Sequence, residues 1–140
     1  MDLKIKPINF KCVPTIAYEG DAGLDLYANI EKVISLSQFT TIKIPLGIAI
    51  EIPHKYVGFM FPRSGHASKG ISVEIGTIDS GYRGELCAIV TNNTSTPYHI
   101  QPYEKIAQLI LISKPTIDNL IITDTLSASE RGEKGFGSSS

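Results

Sequence analysis

The residues most able to carry chemistry lie between positions 76 and 88, where the sequence reads GTIDSGYRGELCA. Two glycines near the middle supply backbone freedom, and runs of strand-forming residues flank the stretch, which predicts a β-hairpin. The hairpin tip would present Asp79, Tyr82 and Arg83. An acid, an aromatic ring and a cation on one rigid turn suit a polar ligand that has a ring and an anionic part. The same residue types are also common in ordinary surface turns.

Zinc chemistry and nucleophilic triads are poorly supported by the rest of the sequence. The three histidines are scattered, and none has a second His or a carboxylate at ligand spacing. No His and Asp arrangement can be assigned around Ser64, and in the glycine-rich tail no Lys-Ser or Lys-Thr follows a glycine pair at the spacing of a phosphate-binding Walker loop. What remains is a carboxylate that activates water, with Asp79 as the base and Asp25 as an oxygen donor toward Mg²⁺. The candidate ligands for anionic oxygens are Arg63, Ser64, Gln108 and Arg131.

Short strands must position these residues. Ile or Leu occupies every second position of residues 42–52, which predicts one continuous strand, and Pro45 within it indicates an edge or a bulge. Residues 71–78 and 86–91 form the two legs of the hairpin. Further strands are predicted at 3–8, after residue 21, and at 56–61, 106–112 and 120–123. About nine strands with no amphipathic helix predict an all-β sandwich or barrel.

Length and composition limit the remaining classes. The 140 residues fit one domain at 1–126, followed by a tail at 127–140 whose composition is that of a flexible arm. A net charge of −1 gives no basic surface for nucleic acid. Two cysteines, no signal peptide and no apolar stretch of membrane-spanning length predict a cytoplasmic protein, or a nuclear one in a eukaryote. Phe136 stands between two glycines in the tail and needs a partner elsewhere.

Five segments in a fixed order resemble the five motifs of the trimeric dUTP diphosphatase (dUTPase) family. They read DAGLDLYA at 21–28, PRSG at 62–65, GTIDSGYRGE at 76–85, KIAQL at 105–109 and RGEKGFGS at 131–138. The resemblance implies a jelly-roll-like β fold (a β-clip barrel), a homotrimer, and active sites at subunit interfaces. It also implies hydrolysis of dUTP to dUMP and pyrophosphate, which keeps uracil out of DNA and supplies dUMP for dTMP synthesis.

The resemblance assigns a role to each motif. Asp79 is the base that activates water against the α-phosphorus, and Tyr82 packs against the deoxyribose and excludes a 2′-hydroxyl. The backbone at Gly76, Ile78 and Cys87 pairs with uracil, and Asp25 holds Mg²⁺ through water. The phosphate-binding positions are Arg63, Ser64, Gly65 and Gln108. The tail becomes a lid, in which Phe136 stacks on uracil and Arg131, Gly137, Ser138 and Ser139 close on the phosphates.

Some positions depart from the family pattern, and two other readings stay open. Lys105 stands where Arg is common, Tyr103 where Gly is usual, and His66 replaces an aliphatic residue after the Arg-Ser-Gly motif. A dCTP deaminase shares the fold and several motifs but needs a glutamate where this chain has Ile89. The other alternative is a non-catalytic trimeric module that binds nucleotides. The intact acid, tyrosine and tail argue against that module.

Overall fold

The computed structural model describes residues 1–16, 18–135 and 137. Within them the chain forms eleven strands, one helical turn and one 3₁₀ turn at Phe10–Cys12. The strands are β1 Lys4–Pro7, β2 Leu24–Tyr27, β3 Ile34–Leu36, β4 Thr41–Pro45, β5 Ile48–Glu51, β6 Tyr56–Pro62, β7 Ile71–Val73, β8 Gly76–Ile78, β9 Cys87–Asn92, β10 Tyr98–Ile100 and β11 Lys105–Ser113, and the helical turn is α1 Ser64–Ala67. The all-β prediction is therefore confirmed. None of the helices in these residues has the length and apolar character needed to cross a membrane.

Four small sheets enclose the core. The largest has the order β2-β11-β6-β8, the next has the order β4-β9-β7, and β1-β5 and β3-β10 form two pairs. Every pairing is antiparallel. The long strand β11 pairs with β2 on one side and β6 on the other, so it joins the start of the chain to its middle. The alternating side chains of these strands fill one contiguous hydrophobic core.

The continuous strand predicted at 42–52 is wrong, because the chain breaks into β4 and β5 at Gly47. Gly47 has φ +67°, a left-handed conformation that side chains rarely adopt. A Cβ at this position would lie 2.8 Å from the Sγ atom of Cys12, so there is no room for a side chain. The period-two pattern survives the break because Ile44, Leu46 and Ile48 all point into the core. β4 is the edge strand that Pro45 predicted.

The predicted hairpin also differs from the one observed. Only its outer part pairs as expected, where Ile71 faces Asn92 and Val73 faces Val90 between β7 and β9. The Glu74 N–H still donates to the Ile89 carbonyl of β9 at 2.9 Å, and after it β8 pairs instead with β6, with Gly76 opposite Met60. The two legs therefore belong to different sheets. This divergence opens a cleft between them, which a regular hairpin would have filled with cross-strand hydrogen bonds.

The strand predicted at 120–123 is absent from the described residues, where β11 is the last strand and ends at Ser113. The segment that follows is apolar and yet exposed on this chain. Its large exposed side chains are Ile117, Leu120, Ile121, Ile122 and Leu126. The segment pairs with none of the strands in the described residues, and a preference for strand does not form one without a partner.

Candidate active site

A pocket of about 310 Å³ opens between β8 and β9, and we call it the hairpin pocket. Five of the residues singled out from the sequence line it, namely Gly76, Ile78, Asp79, Tyr82 and Cys87. Asp79 is exposed at its rim, directly after β8. The structure thus brings together the predicted base, the predicted sugar-packing ring and the predicted base-pairing backbone. β8 is an edge strand, so one side of its backbone is left unpaired by the sheet.

The loop that carries Tyr82 is held by its own hydrogen bonds. The backbone N–H of Tyr82 donates to the Asp79 carbonyl at 3.0 Å, and its hydroxyl donates to the Glu85 carbonyl at 3.1 Å. The ring lies over Gly84, where an added Cβ would come within 2.6 Å of the Tyr82 Cζ atom. A side chain at position 84 would therefore displace the Tyr82 ring from its place at the pocket rim.

Arg83 does not face the hairpin pocket, contrary to the tip arrangement predicted from the sequence. Its guanidinium donates to the carbonyl oxygens of Ser80 and Tyr82 at 2.7 and 2.9 Å. The side chain also borders a separate surface pocket beside β1 and β5. Arg83 therefore closes its own turn, because a long flexible side chain readily reaches the local carbonyl groups that a tight turn leaves without partners.

Glu85 had no predicted role, and it anchors the loop that carries Tyr82 to the rest of the fold. Its Oε1 atom accepts a hydrogen bond from the Gly47 N–H at 2.9 Å. The next residue, Leu86, is buried and exchanges backbone hydrogen bonds with Leu46 and Ile48, both at 2.9 Å. The loop that carries Tyr82 is thus bound to the fold at the break between β4 and β5. The acid–glycine contact could not be read from spacing, since 38 residues separate its partners.

The thiol of Cys87 is not poised as a nucleophile. Burial raises its pKa, the nearby Lys43 opposes that rise, and Glu85 adds to it. A thiol with a raised pKa is protonated at neutral pH and unreactive. Cys87 therefore contributes its backbone and its volume to the pocket wall rather than reactive chemistry.

A second pocket, of about 420 Å³, lies on a different part of the surface, and we call it the polar pocket. Its walls come from the segment before β2, the start of α1 and the middle of β11. The predicted residues that line it are Asp25, Arg63, Ser64, Gly65 and Gln108. The four predicted phosphate ligands of the second and fourth motifs therefore do meet in one place, together with the predicted metal-binding acid.

Asp25 is engaged by two cations in this pocket. Its Oδ1 atom lies 2.8 Å from Arg63 Nε, and its Oδ2 atom lies 3.1 Å from Lys105 Nζ. Arg63 Nη1 also donates to the Lys105 carbonyl at 3.3 Å, and Gln108 Nε2 donates to the Pro62 carbonyl at 2.9 Å. Lys105, left without a role by the sequence, thus shares a carboxylate with Arg63. Arg63 is the cation that lines this pocket, whose other charged lining residues are Asp21 and Asp25, and Lys105 contacts Asp25 without lining the pocket itself.

No described residue lines both pockets, so one chain does not join the hairpin pocket to the polar pocket. The two predicted arm residues that the structure describes, Arg131 and Gly137, line neither pocket. Arg131 is exposed and donates from Nε to the Lys134 carbonyl at 2.8 Å, and Gly137 is exposed. Phe136, Ser138 and Ser139 lie outside the described residues.

Comparisons with known proteins agree with this architecture. The family model described as dUTPase matches residues 10–140. The deoxyuridine 5′-triphosphate nucleotidohydrolase of Orientia tsutsugamushi (strain Ikeda) is 42% identical and covers 99% of this chain and 98% of its own length. The one from Clostridioides difficile is 43% identical and covers 98% of this chain and 96% of its own.

Solved structures show the same fold. A dUTPase mutant from Staphylococcus bacteriophage 80alpha with bound dUpNHpp has a TM-score of 0.87 at 29% identity, over 99% of this chain and 98% of its own. A dUTPase mutant from phage phi11 of S. aureus, in which a structural Mg(II) ion is coordinated, has a TM-score of 0.83 at 24% identity, over 91% of this chain and 100% of its own.

The all-β fold and the two pockets thus define a protein of the dUTPase-like β class. The match over most of the chain goes further: the chain belongs to the dUTPase family, whose curated relatives are enzymes named deoxyuridine 5′-triphosphate nucleotidohydrolase. The resemblance seen in the five motifs is confirmed.

Proposed function

We propose that this chain hydrolyses dUTP to dUMP and pyrophosphate, with Asp79 as the group that orients and deprotonates the attacking water. The observation that carries the proposal is the hairpin pocket, in which Asp79 stands beside an unpaired strand edge and the ring of Tyr82. The Asp79 carboxylate takes a proton from water as the oxygen attacks the α-phosphorus and pyrophosphate leaves. Positioning and charge neutralisation supply most of the acceleration in such a transfer.

Base and sugar selection follow from the same pocket. The free edge of β8 at Gly76 and Ile78, with the backbone at Cys87, offers fixed donors and acceptors to the edge of uracil. A cytosine in this position would leave buried polar groups unpaired, which is the strongest form of discrimination a pocket has. Tyr82, fixed by its bond to Glu85 and its packing on Gly84, closes the space that a ribose 2′-hydroxyl would need.

The phosphates are the proposed ligands of the polar pocket of a neighbouring copy in a homotrimer. Arg63, Ser64, Gly65 and Gln108 line that pocket, and their cationic and polar groups suit phosphate oxygens. The exposed apolar segment at 117–126 supports assembly, because so large a hydrophobic stretch is rarely left in water. In this scheme the arm closes the site, with Phe136 over the uracil and Arg131, Gly137 and Ser138 at the phosphates.

The donor groups fit an Mg²⁺ ion that arrives with the triphosphate. The described part of the chain has no group of three or more His, Cys, Asp or Glu side chains that could cage a metal. Mg²⁺ commonly takes one carboxylate plus substrate phosphates and keeps several waters, and Asp25 in the polar pocket would hold it through water. Bound Mg²⁺ would supply charge neutralisation at the phosphate oxygens.

Deamination of dCTP is the second candidate, and one observation disfavours it. Ile89, which occupies the position of the glutamate that a deaminase needs, lines the hairpin pocket itself. An isoleucine cannot move a proton to or from a cytosine ring. The position that a deaminase needs for proton transfer is therefore apolar in this pocket.

The test is incubation of the purified protein with dUTP, dCTP and UTP in the presence of Mg²⁺. Pyrophosphate and ammonia are scored separately. We expect pyrophosphate from dUTP, little from UTP and no ammonia from dCTP. Ammonia from dCTP would support the deaminase instead, and the absence of both products would leave a binding module.

A further inference from the structure

A buried polar cluster lies outside both pockets and consists of His66, Tyr98 and Glu104. His66 is only 7% exposed, and its Nε2 atom lies 2.6 Å from Glu104 Oε1. The Tyr98 hydroxyl donates to the same Oε1 atom, and the Gln101 N–H donates to Oε2 at 2.8 Å. The imidazole and phenol rings meet edge to face with centroids 6.0 Å apart. One carboxylate therefore gathers donors from α1, from β10 and from the turn that precedes β11.

The cluster joins the two elements that build the polar pocket. His66 lies in α1, directly after Ser64 and Gly65, and Glu104 directly precedes β11, the strand that carries Gln108. The backbone around Glu104 is firmly held: its carbonyl accepts from the Ala28 N–H at 2.8 Å. The Glu104 carboxylate is thus held in place, and the His66 imidazole links α1 to it.

The energetics of the cluster indicate that it is not a simple filler of the core. Burial tends to raise the pKa of Glu104, but the hydrogen bonds from Tyr98, Gln101 and His66 outweigh it, and the pKa is lowered. The Nδ1 atom of His66 is buried and has no hydrogen-bond partner among the described residues. A leucine would fill the same space without a buried unpaired atom. Burying His66 Nδ1 without a hydrogen bond costs free energy, so we expect the Nε2 contact with Glu104 to contribute something that packing alone does not.

We propose that His66 is a positioning residue for phosphate binding, holding α1 at a fixed place relative to β11 through Glu104. The inference rests on the proposed function of the polar pocket. Ser64 and Gly65 are exposed at the start of a single helical turn, which has too few backbone hydrogen bonds to hold itself. The His66–Glu104 contact supplies the missing restraint, so that the α1 and β11 sides of the pocket keep a constant separation.

The test compares His66→Leu with His66→Gln. Leucine keeps most of the volume and removes the donor, whereas the glutamine amide nitrogen can take the place of Nε2 opposite Glu104. The measurements are the Kd values of dUpNHpp, of inorganic pyrophosphate with Mg²⁺ and of dUMP, kcat and KM for dUTP, and thermal unfolding. His66→Leu should weaken dUpNHpp and pyrophosphate binding and raise KM by about fivefold, the effect of one lost hydrogen bond. dUMP binding and kcat should stay within about twofold, and His66→Gln should restore the wild-type values.

Two outcomes would overturn the inference. If His66→Leu weakened the binding of dUMP and of pyrophosphate equally, the substitution would have destabilised the protein in general. If folded His66→Leu bound pyrophosphate as tightly as the wild type, His66 would have no role in phosphate binding. If His66→Leu fails to fold, Tyr98→Phe removes one donor to Glu104 with little change in volume, and it should weaken pyrophosphate in the same direction while leaving dUMP. The pyrophosphate measurement separates this inference from the proposed function. If His66→Leu weakens pyrophosphate binding but the wild-type protein does not hydrolyse dUTP, the positioning role of His66 is supported and the proposed function is rejected.

Discussion

The hairpin pocket and the polar pocket hold their functional groups in opposite ways. In the hairpin pocket the groups are backbone edges and acids, of which Asp79 and Glu74 are exposed, and the loop is held by Glu85 and Leu86. In the polar pocket the groups are charged side chains already engaged with each other, Arg63 and Lys105 on Asp25. Backbone geometry can select a base and sugar by shape, whereas paired charges can be shared with an incoming anion. The first pocket therefore suits specificity and chemistry, and the second suits phosphate binding.

The largest effect should come from the acid of the hairpin pocket. Asp79→Asn keeps the shape of the side chain and removes the proton acceptor, so kcat for dUTP should fall by about 10²- to 10⁴-fold. The Kd of dUpNHpp should change by less than about threefold, because the pocket is otherwise intact. Steady-state kinetics and calorimetry measure the two quantities, and a mutant that retained most of its rate would contradict the role of Asp79.

Removal of residues 131–140 tests whether hydrolysis of dUTP needs the C-terminal arm in addition to the two pockets. If the arm closes the site, kcat/KM for dUTP should fall by about 100-fold, since loss of positioning alone can have that effect. The described residues of this segment are mostly exposed, so the thermal midpoint and the sedimentation coefficient should be nearly unchanged. Full activity in the truncated protein would reject the lid.

Tyr82 tests the claim that the hairpin pocket selects by shape. Tyr82→Ala should reduce the preference for dUTP over UTP by about tenfold, a typical contribution of steric discrimination. Tyr82→Phe keeps the ring and loses only the bond to Glu85, so it should retain most of the preference. Gly84→Ala should resemble the alanine variant, because the new methyl group displaces the ring. The ratio of kcat/KM values for the two substrates is the measurement.

The Asp25 carboxylate has two roles in the proposed site: it holds Mg²⁺ through water, and it pairs with Arg63 and Lys105. Substitutions can distinguish them. If it holds Mg²⁺ through water, Asp25→Asn should raise the Mg²⁺ concentration for half-maximal activity by about fivefold. Lys105→Ala is the matched control, since it removes one ion-pair partner and leaves the oxygen donors in place. The destabilisation of either variant should stay below about 1 kcal/mol, as for half-exposed ion pairs. An unchanged Mg²⁺ titration for Asp25→Asn would restrict this residue to pairing with Arg63.

Glu104 gives the smallest effect, seen in the pH dependence of stability. Its pKa lies below the ordinary 4.5 in the folded protein, so its contribution is complete above that pH and is lost as the pH falls through the lowered value. Glu104→Gln should lower the free energy of unfolding by about 1–2 kcal/mol at pH 7 and by much less near pH 3. Urea titrations at several pH values measure the difference. A difference that did not depend on pH would mean that the ionised carboxylate contributes nothing.

Much of the fold follows from local patterns. Period-two alternation identified the residues of β4 and β5, because a strand with one buried face needs that pattern whatever its partner. Runs of strand-forming residues between turn signals identified β6 and β11. The break at Gly47 was missed, since the core-facing alternation continues through it. The strand at 120–123 was predicted from strand-forming residues alone, and such a preference has no effect without an edge to pair with. The motif residues were found in the same way, as residue types at short spacings.

The sequence by itself determined the all-β class and the family, because strand patterns and motifs are local features of the chain. The roles of the acid, the ring and the phosphate ligands remain predictions from the motifs. Only the tertiary structure decided how they are distributed. It separated the hairpin pocket from the polar pocket, turned Arg83 away, and brought Glu85 to Gly47, Lys105 to Asp25 and His66 to Glu104. Each of these contacts joins residues distant in sequence or depends on a local backbone path. Such contacts arise when the core closes, and no local pattern specifies them.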